Sequence, residues 1–310
     1  MNLETFFKNF DLLADAPNGV QKLRELILQL AVMGKLVPQD ENDEPASVLL
    51  EKIKFEKEEL LREGKIKKEK PLPAIKAGEM PFELPNGWEW ERLGNALLKI
   101  TDGTHHSPPN SEKGDYKYIT AKNIKQGRIS LTNITYVTTK VHQEIYSRCN
   151  PEFGDLLYIK DGATTGIVAI NDLVEPFSML SSVALLKSPS KIYNYYLFSV
   201  LSSPYFYSLM RDDMSGVAIT RVTLAKLNKA LIPLPPLAEQ HRIVAKIDEL
   251  MAMCDRISSR QQQKRETRIK INNTAIGQLL TAREPEAFNK SWQYICNNFD
   301  QFLRLEPKPF

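Results

Sequence analysis

Two adjacent histidines, His105 and His106, follow Asp102-Gly103-Thr104. Paired imidazoles can ligate a metal, but nothing around them completes a tetrahedral ligand set. His142 and His241 sit alone. A loop facing solvent or nucleic acid is the simpler reading. Gly162-Ala163-Thr164-Thr165-Gly166 has the small residues of a phosphate-cradling loop, yet its lysine, Lys160, precedes the glycines. A nucleotide loop needs that lysine after them, so a strand-joining turn is expected. Lys122-Asn123-Ile124-Lys125-Gln126-Gly127-Arg128 places two amides among three cations. Amides read base edges and cations hold phosphates. Ser181-Ser182 and Thr220-Arg221 add hydroxyls and a further cation. Taken singly, each of these segments is explained equally well as a solvated turn.

Catalytic motifs are missing from the sequence. It has no G-x-x-x-x-G-K-[ST] loop, no glycine-rich turn for a dinucleotide or a methyl donor, and no Asn-Pro-Pro-aromatic run. The chemistry in view is binding.

The elements that must position these residues fall into three regions. Val20, Leu23, Ile27 and Leu30 recur at helical spacing before Gly34, and a second helix is expected from Asp43-Glu44-Pro45 to Gly64. A charged, proline-punctuated linker, Lys65 to Pro73, follows. From Glu83-Leu84-Pro85-Asn86-Gly87-Trp88-Glu89-Trp90 to about Pro235 short apolar runs alternate with Gly-, Thr-, Ser- and Asn-rich turns. Strands are expected at Tyr116–Thr120, Leu156–Lys160, Ile167–Ile170 and Val183–Leu186, with short helices at Tyr193–Leu201 and Tyr205–Met210. Beyond Pro236, Ile243, Ile247, Leu250, Cys254 and Ile257 alternate by four and three, the seam of a coiled coil. The same phase meets Gln261, Lys264 and Arg268 before apolar residues return at Ile271 and Ala275. One helix from about Ala238 to Leu280 accounts for this, and the last thirty or so residues carry little pattern.

The fold class expected is α+β. It divides into an N-terminal helical region and linker (1–80), a mixed α/β domain (81–236), a long coiled-coil spacer helix (237–284) and a tail (285–310). Lys and Arg number 41 against 38 Asp and Glu, a net charge of +3. That balance permits nucleic-acid binding only through local clustering. The three cysteines are scattered, as expected for reduced thiols, and the acidic, interrupted N-terminus lacks the form of a signal peptide. A cytoplasmic protein is expected.

The run Ile232-Pro233-Leu234-Pro235-Pro236-Leu237-Ala238-Glu239-Gln240-His241-Arg242-Ile243-Val244-Ala245-Lys246-Ile247-Asp248-Glu249-Leu250 closely resembles a junction in the specificity subunits of type I restriction–modification enzymes. There a target recognition domain ends and a spacer helix begins. Glu83-Leu84-Pro85-Asn86-Gly87-Trp88 with Leu93-Gly94, Gly154-Asp155-Leu156-Leu157 with Gly162 and Gly166, and Ser215-Gly216 with Leu224 and Leu227 are similar to other parts of such a domain. The family's usual subunit has two recognition domains separated by two antiparallel helices, each domain reading half of a split target. This sequence has one of each. Asn9-Phe10-Asp11 recurs as Asn298-Phe299-Asp300, so a half-length subunit, natural or truncated, is expected.

The resemblance implies a non-catalytic reader of double-stranded DNA with Thr104, His105, Lys122, Asn123, Lys125, Arg128, Lys160, Thr164, Thr165, Ser181, Ser182, Thr220 and Arg221 as DNA-binding candidates. It implies a modification (methyltransferase) subunit and a restriction (translocase/nuclease) subunit as partners, and these would carry S-adenosylmethionine, ATP and Mg. Ile243, Ile247, Leu250, Cys254 and Ile257 would form a subunit interface pairing two copies. The rival is that the N-terminal helices cover this seam within one chain. Another reading is a truncated adaptor or decoy that binds the modification subunit without productive DNA reading.

Overall fold

The computed structural model describes residues 18–68, 70–211 and 221–298. The Ser215-Gly216 segment, Thr220 and most of the Asn-Phe-Asp echo lie outside them. Helices α1 (Gly19–Val32) and α2 (Ala46–Arg62) open the described chain. Gly34 and Gly64 stop them at φ of +65° and +71°. In each case the next residue's N–H, Lys35 or Lys65, reaches back to the carbonyl of Leu30 or Leu60. Glycine, lacking a Cβ, takes this left-handed cap at no steric cost.

The globular part follows the linker. It comprises β1 (Glu89–Arg92), α3 (Leu93–Ala96), β2 (Lys99–Asp102), β3 (Tyr116–Ile119), β4 (Ile124–Lys125), β5 (Arg128–Ile129), β6 (Thr135–Val137) and α4 (Thr139–Tyr146). It continues with β7 (Leu156–Ile159), β8 (Val168–Ile170), β9 (Ser178–Met179), β10 (Val183–Lys187), α5 (Asn194–Leu201), α6 (Pro204–Arg211), α7 (Leu224–Lys229) and β11 (Leu231–Leu234). The order β2-β10-β7-β8 forms a four-stranded antiparallel sheet, and β6-β3-β9 a three-stranded one. β7 and the first four residues of β10 are buried throughout, so they read as continuous apolar runs rather than alternating ones. Leu157 and Ile159 of β7 and Val183 and Leu185 of β10 meet Ile119, Ile124, Ile129, Phe177 and Met179 in one core.

β1 pairs with β11, Trp90 opposite Pro233, so the chain enters and leaves the globular part side by side. The proline-rich run expected to lead out of the domain is itself this closing strand. Buried Arg92 fastens the linker here, donating to the carbonyls of Pro73 (2.6 Å) and Lys229 (2.8 Å) and to Glu79 (2.9 Å).

α8 (Leu237–Thr281) is one continuous helix of 45 residues, roughly 65 Å at the usual helical rise. Its first turn is held by polar contacts. The Glu239 carboxylate accepts from Trp88 Nε1 (2.9 Å) and Gln39 (3.1 Å), and burial lifts its carboxyl above the ordinary range. Gln240 accepts from the Tyr193 N–H (2.9 Å), and Arg242 pairs with Asp43. A last helix, α9 (Pro285–Asn297), occupies the tail in which the sequence showed little pattern. Proline at its first position presets the turn.

Among described residues, 24–250 form one compact unit and 18–23 with 251–298 a second. Within the first, Ile243, Ile247 and Leu250 are buried in the single chain, and in the second so is Cys254. This corrects the expectation that the seam waits for another copy. Only Ile257 of the five stays partly open. On the spacer and tail helices, the large apolar residues that stay exposed are Ile269, Ile271, Ile276 and Leu280 of α8 and Phe288, Trp292 and Tyr294 of α9. No helix among the described residues is long and apolar enough to cross a membrane.

Candidate nucleic-acid interface

β10 runs antiparallel to both of its neighbours. Val183, where it begins, faces Ile159, where β7 ends, and Ala184 faces Asp102, where β2 ends. The loops after β2 and β7 and the turn before β10 therefore emerge at one end of the sheet. The turn at 180–182 ties them together. Thr104 bridges Leu180, with its N–H on the Met179 carbonyl (2.9 Å), and the Ser181 N–H returns to the Thr104 carbonyl (2.8 Å). The Lys160 N–H donates to the Ser182 carbonyl (2.9 Å), and the Ala121 N–H reaches Ser182 Oγ (3.4 Å).

Two more segments join. The Val222 N–H donates to the Lys160 carbonyl (2.7 Å), and Arg221 bridges Asp161. The hairpin β4–β5 turns through Gln126-Gly127, with Gly127 at φ +80° and its N–H on the Val168 carbonyl at the start of β8. Lys125 and Arg128 are register partners across that turn. Polar segments scattered from 102 to 222 thus form one cluster.

Its members divide by exposure. His105, Lys122, Lys125, Arg128, Thr164 and Arg221 are exposed, and Ser181 and Ser182 half-buried. Thr104, Asn123, Lys160 and Thr165 are buried, which corrects their reading as direct DNA contacts. Asn123 caps a single helical turn: its Oδ1 accepts from the Thr120 N–H and hydroxyl (both 3.1 Å), and its Nδ2 donates to the Ser130 carbonyl (3.2 Å). Thr165 Oγ1 donates to the Gly162 carbonyl (2.7 Å). A side chain engaged this way is not free to read a base. Thr220 lies outside the described residues. Among the described residues, no group of three or more histidines, cysteines and carboxylates could hold a metal ion.

Residues 85–266 match the family described as type I restriction modification DNA specificity domain. The chain belongs to that family. It is 34% identical over 303 residues to the EcoAI type I restriction enzyme specificity subunit of Escherichia coli, covering 93% of this chain and 49% of that protein. It is 32% identical over 311 residues to the EcoEI specificity subunit of the same species, covering 93% and 48%. The chain spans about half the length of these curated relatives. Among solved structures, the HsdS subunit from Thermoanaerobacter tengcongensis is 18% identical, with a TM-score of 0.43 over 90% of this chain and 56% of that one.

Three residues of this specificity domain join the cluster without having stood out in the sequence. Arg148 reaches Asp102 from the loop after α4. Arg211, at the end of α6, lies 4.3 Å over the Tyr207 ring and donates to the Thr165 carbonyl (3.4 Å). An aromatic face beside guanidinium groups suits a nucleic-acid surface. No local motif marks them, because what ties Arg148 and Arg211 to the cluster, Asp102 and the Thr165 carbonyl, is distant in sequence.

Proposed function

We propose that this chain is the sequence-reading component of a type I restriction–modification complex. The cluster around the 180–182 turn binds double-stranded DNA, and the chain performs no chemistry itself. One observation carries this reading: three loops at one end of the antiparallel sheet, and two further segments hydrogen-bonded to that end, together present exposed cations, hydroxyls and an imidazole. Lys122, Lys125, Arg128 and Arg221 hold phosphates or reach guanine edges, while His105, Thr164 and the two serines supply shorter hydrogen-bonding groups. Buried Thr104, Asn123, Lys160 and Thr165 fix the loops that present them.

The complex supplies the chemistry through a modification subunit carrying S-adenosylmethionine and a restriction subunit carrying ATP and Mg. Helices α1, α2 and α8 are the docking elements toward these partners. A bipartite target follows if α8 holds a second recognition unit at fixed distance. Self-association of the spacer uses the exposed apolar residues of its distal half and of α9, since the proximal seam is already covered. Sedimentation as a monomer at micromolar concentration would refute the pairing.

The DNA test is mutational. Arg128→Ala and Arg221→Ala are expected to weaken binding to a DNA sequence selected by the wild-type chain, by ~1–3 kcal/mol where the arginine reads a base. A residue that only holds a phosphate lowers the salt dependence by about one counterion instead. Unchanged affinity and salt slope in both variants would remove the cluster from the account.

A further inference from the structure

Asp102 closes β2 with its side chain only 2% exposed, and three cationic or imidazole groups converge on it. Its Oδ1 accepts from Arg148 Nη2 at 2.5 Å and lies 3.2 Å from His105 Nε2. Its Oδ2 lies 3.5 Å from Lys160 Nζ. Lys160, itself 3% exposed, continues to Asp161 Oδ2 at 2.9 Å, and Asp161 Oδ1 lies 3.4 Å from Arg221 Nε. Arg148, His105 and Arg221 are each more than half exposed. An ionic chain with buried links therefore runs from one carboxylate to three exposed groups on three different loops.

Charge accounts for the burial. An isolated carboxylate or ammonium is strongly disfavoured away from water unless paired. Asp102 and Lys160 make each other's burial tolerable, and Asp161 takes up the second side of the lysine. Two carboxylates face two arginines and a lysine, and the two arginines are the members that face outward.

We propose that Asp102 is a positioning residue for DNA reading. From inside the domain it fixes the mutual placement of His105, Arg148 and Arg221, so that these three groups act as one rigid unit. The proposal rests on the DNA-reading function and adds that discrimination between sequences, more than overall affinity, depends on this carboxylate. Base recognition tolerates displacements of only about half an ångström, whereas attraction to phosphates acts over about a Debye length. Loosening the three groups blurs the first and spares most of the second.

The test uses the full chain as wild type, Asp102→Asn and Arg148→Gln. Asn keeps the shape and one acceptor but removes the charge, and Arg148 is exposed enough for its loss to leave folding intact. Affinities are measured for DNA that the wild-type chain enriches from a random duplex pool, and for poly(dI-dC), over a range of KCl concentrations. The ratio of the two affinities is unaffected by a lowered fraction of folded protein, so a purely structural role would not move it. We expect the ratio to fall roughly tenfold in Asp102→Asn, the scale of one mismatched base pair, and to fall also in Arg148→Gln. Non-specific affinity and salt slope should change little in Asp102→Asn. If Asp102→Asn does not fold, Arg148→Gln decides. An unchanged ratio in the folded variants overturns the proposal alone. A wild-type chain that enriches no sequence removes the DNA-reading function, and the proposal with it.

Discussion

Replacing Gly103 with alanine should abolish specific DNA binding and destabilise the domain, although the change adds a single methyl group. A Cβ at Gly103 would lie 1.9 Å from the Met179 carbonyl oxygen and 2.2 Å from its carbon. These are backbone atoms of β9 and cannot swing aside as a side chain would. Either the loop 103–106 or the strand must move. The Thr104 N–H to Met179 carbonyl bond and the Ser181 N–H to Thr104 carbonyl bond hold that contact together. Overpacking of this kind costs ~1–3 kcal/mol, and more where backbone meets backbone. The same displacement separates His105 from the 180–182 turn. Urea denaturation followed by binding to selected DNA measures both effects. A variant that unfolds at the wild-type midpoint and binds normally would show that the turn does not organise the interface.

The second large effect concerns the spacer. Ile243→Ala should lower stability by ~2–5 kcal/mol, because truncating a fully buried side chain leaves a cavity. That loss should be independent of protein concentration, since Ile243 is covered within its own chain. Leu280→Ser and Trp292→Ser remove side chains that are 79% and 51% exposed. They should shift unfolding by less than about 0.5 kcal/mol while weakening self-association. Denaturation curves at several protein concentrations, with sedimentation of the three variants, separate these behaviours. Concentration-dependent stability lost on Ile243→Ala would return that residue to a subunit interface.

The sequence was informative where periodicity and punctuation are local. The strands at 116, 156, 168 and 183, the helices on either side of Pro204 and the helix beyond Pro236 lie within a residue or two of their expected bounds. Each is a short apolar run between breakers, or a repeat of fours and threes. The pairing of β1 with β11 was not legible, because Glu89-Trp90-Glu91-Arg92 has little strand pattern and is extended by its partner. The tail helix α9 escaped notice because its apolar residues, from Phe288 to Ile295, are too few to establish a period.

For the site, composition located the right segments but did not separate the residues that face outward from those that hold the loops. Asn123 reads as an amide suited to a base edge, yet the turn consumes it. Lys160 reads as a phosphate-binding cation, yet it is buried against Asp102 and Asp161. Arg148 could be recognised only once β2 and the loop after α4 were seen together. The apolar seam likewise announced a helix partner without saying whether that partner belonged to the same chain.

Whether this chain selects the DNA is read out by sequencing methylated bases in cells that carry a type I modification subunit with and without it. A new methylated motif should appear only with the chain and be degraded or lost with Arg128→Ala together with Arg221→Ala. Identical methylated motifs in the two cell populations, with the chain demonstrably bound to the modification subunit, would contradict it.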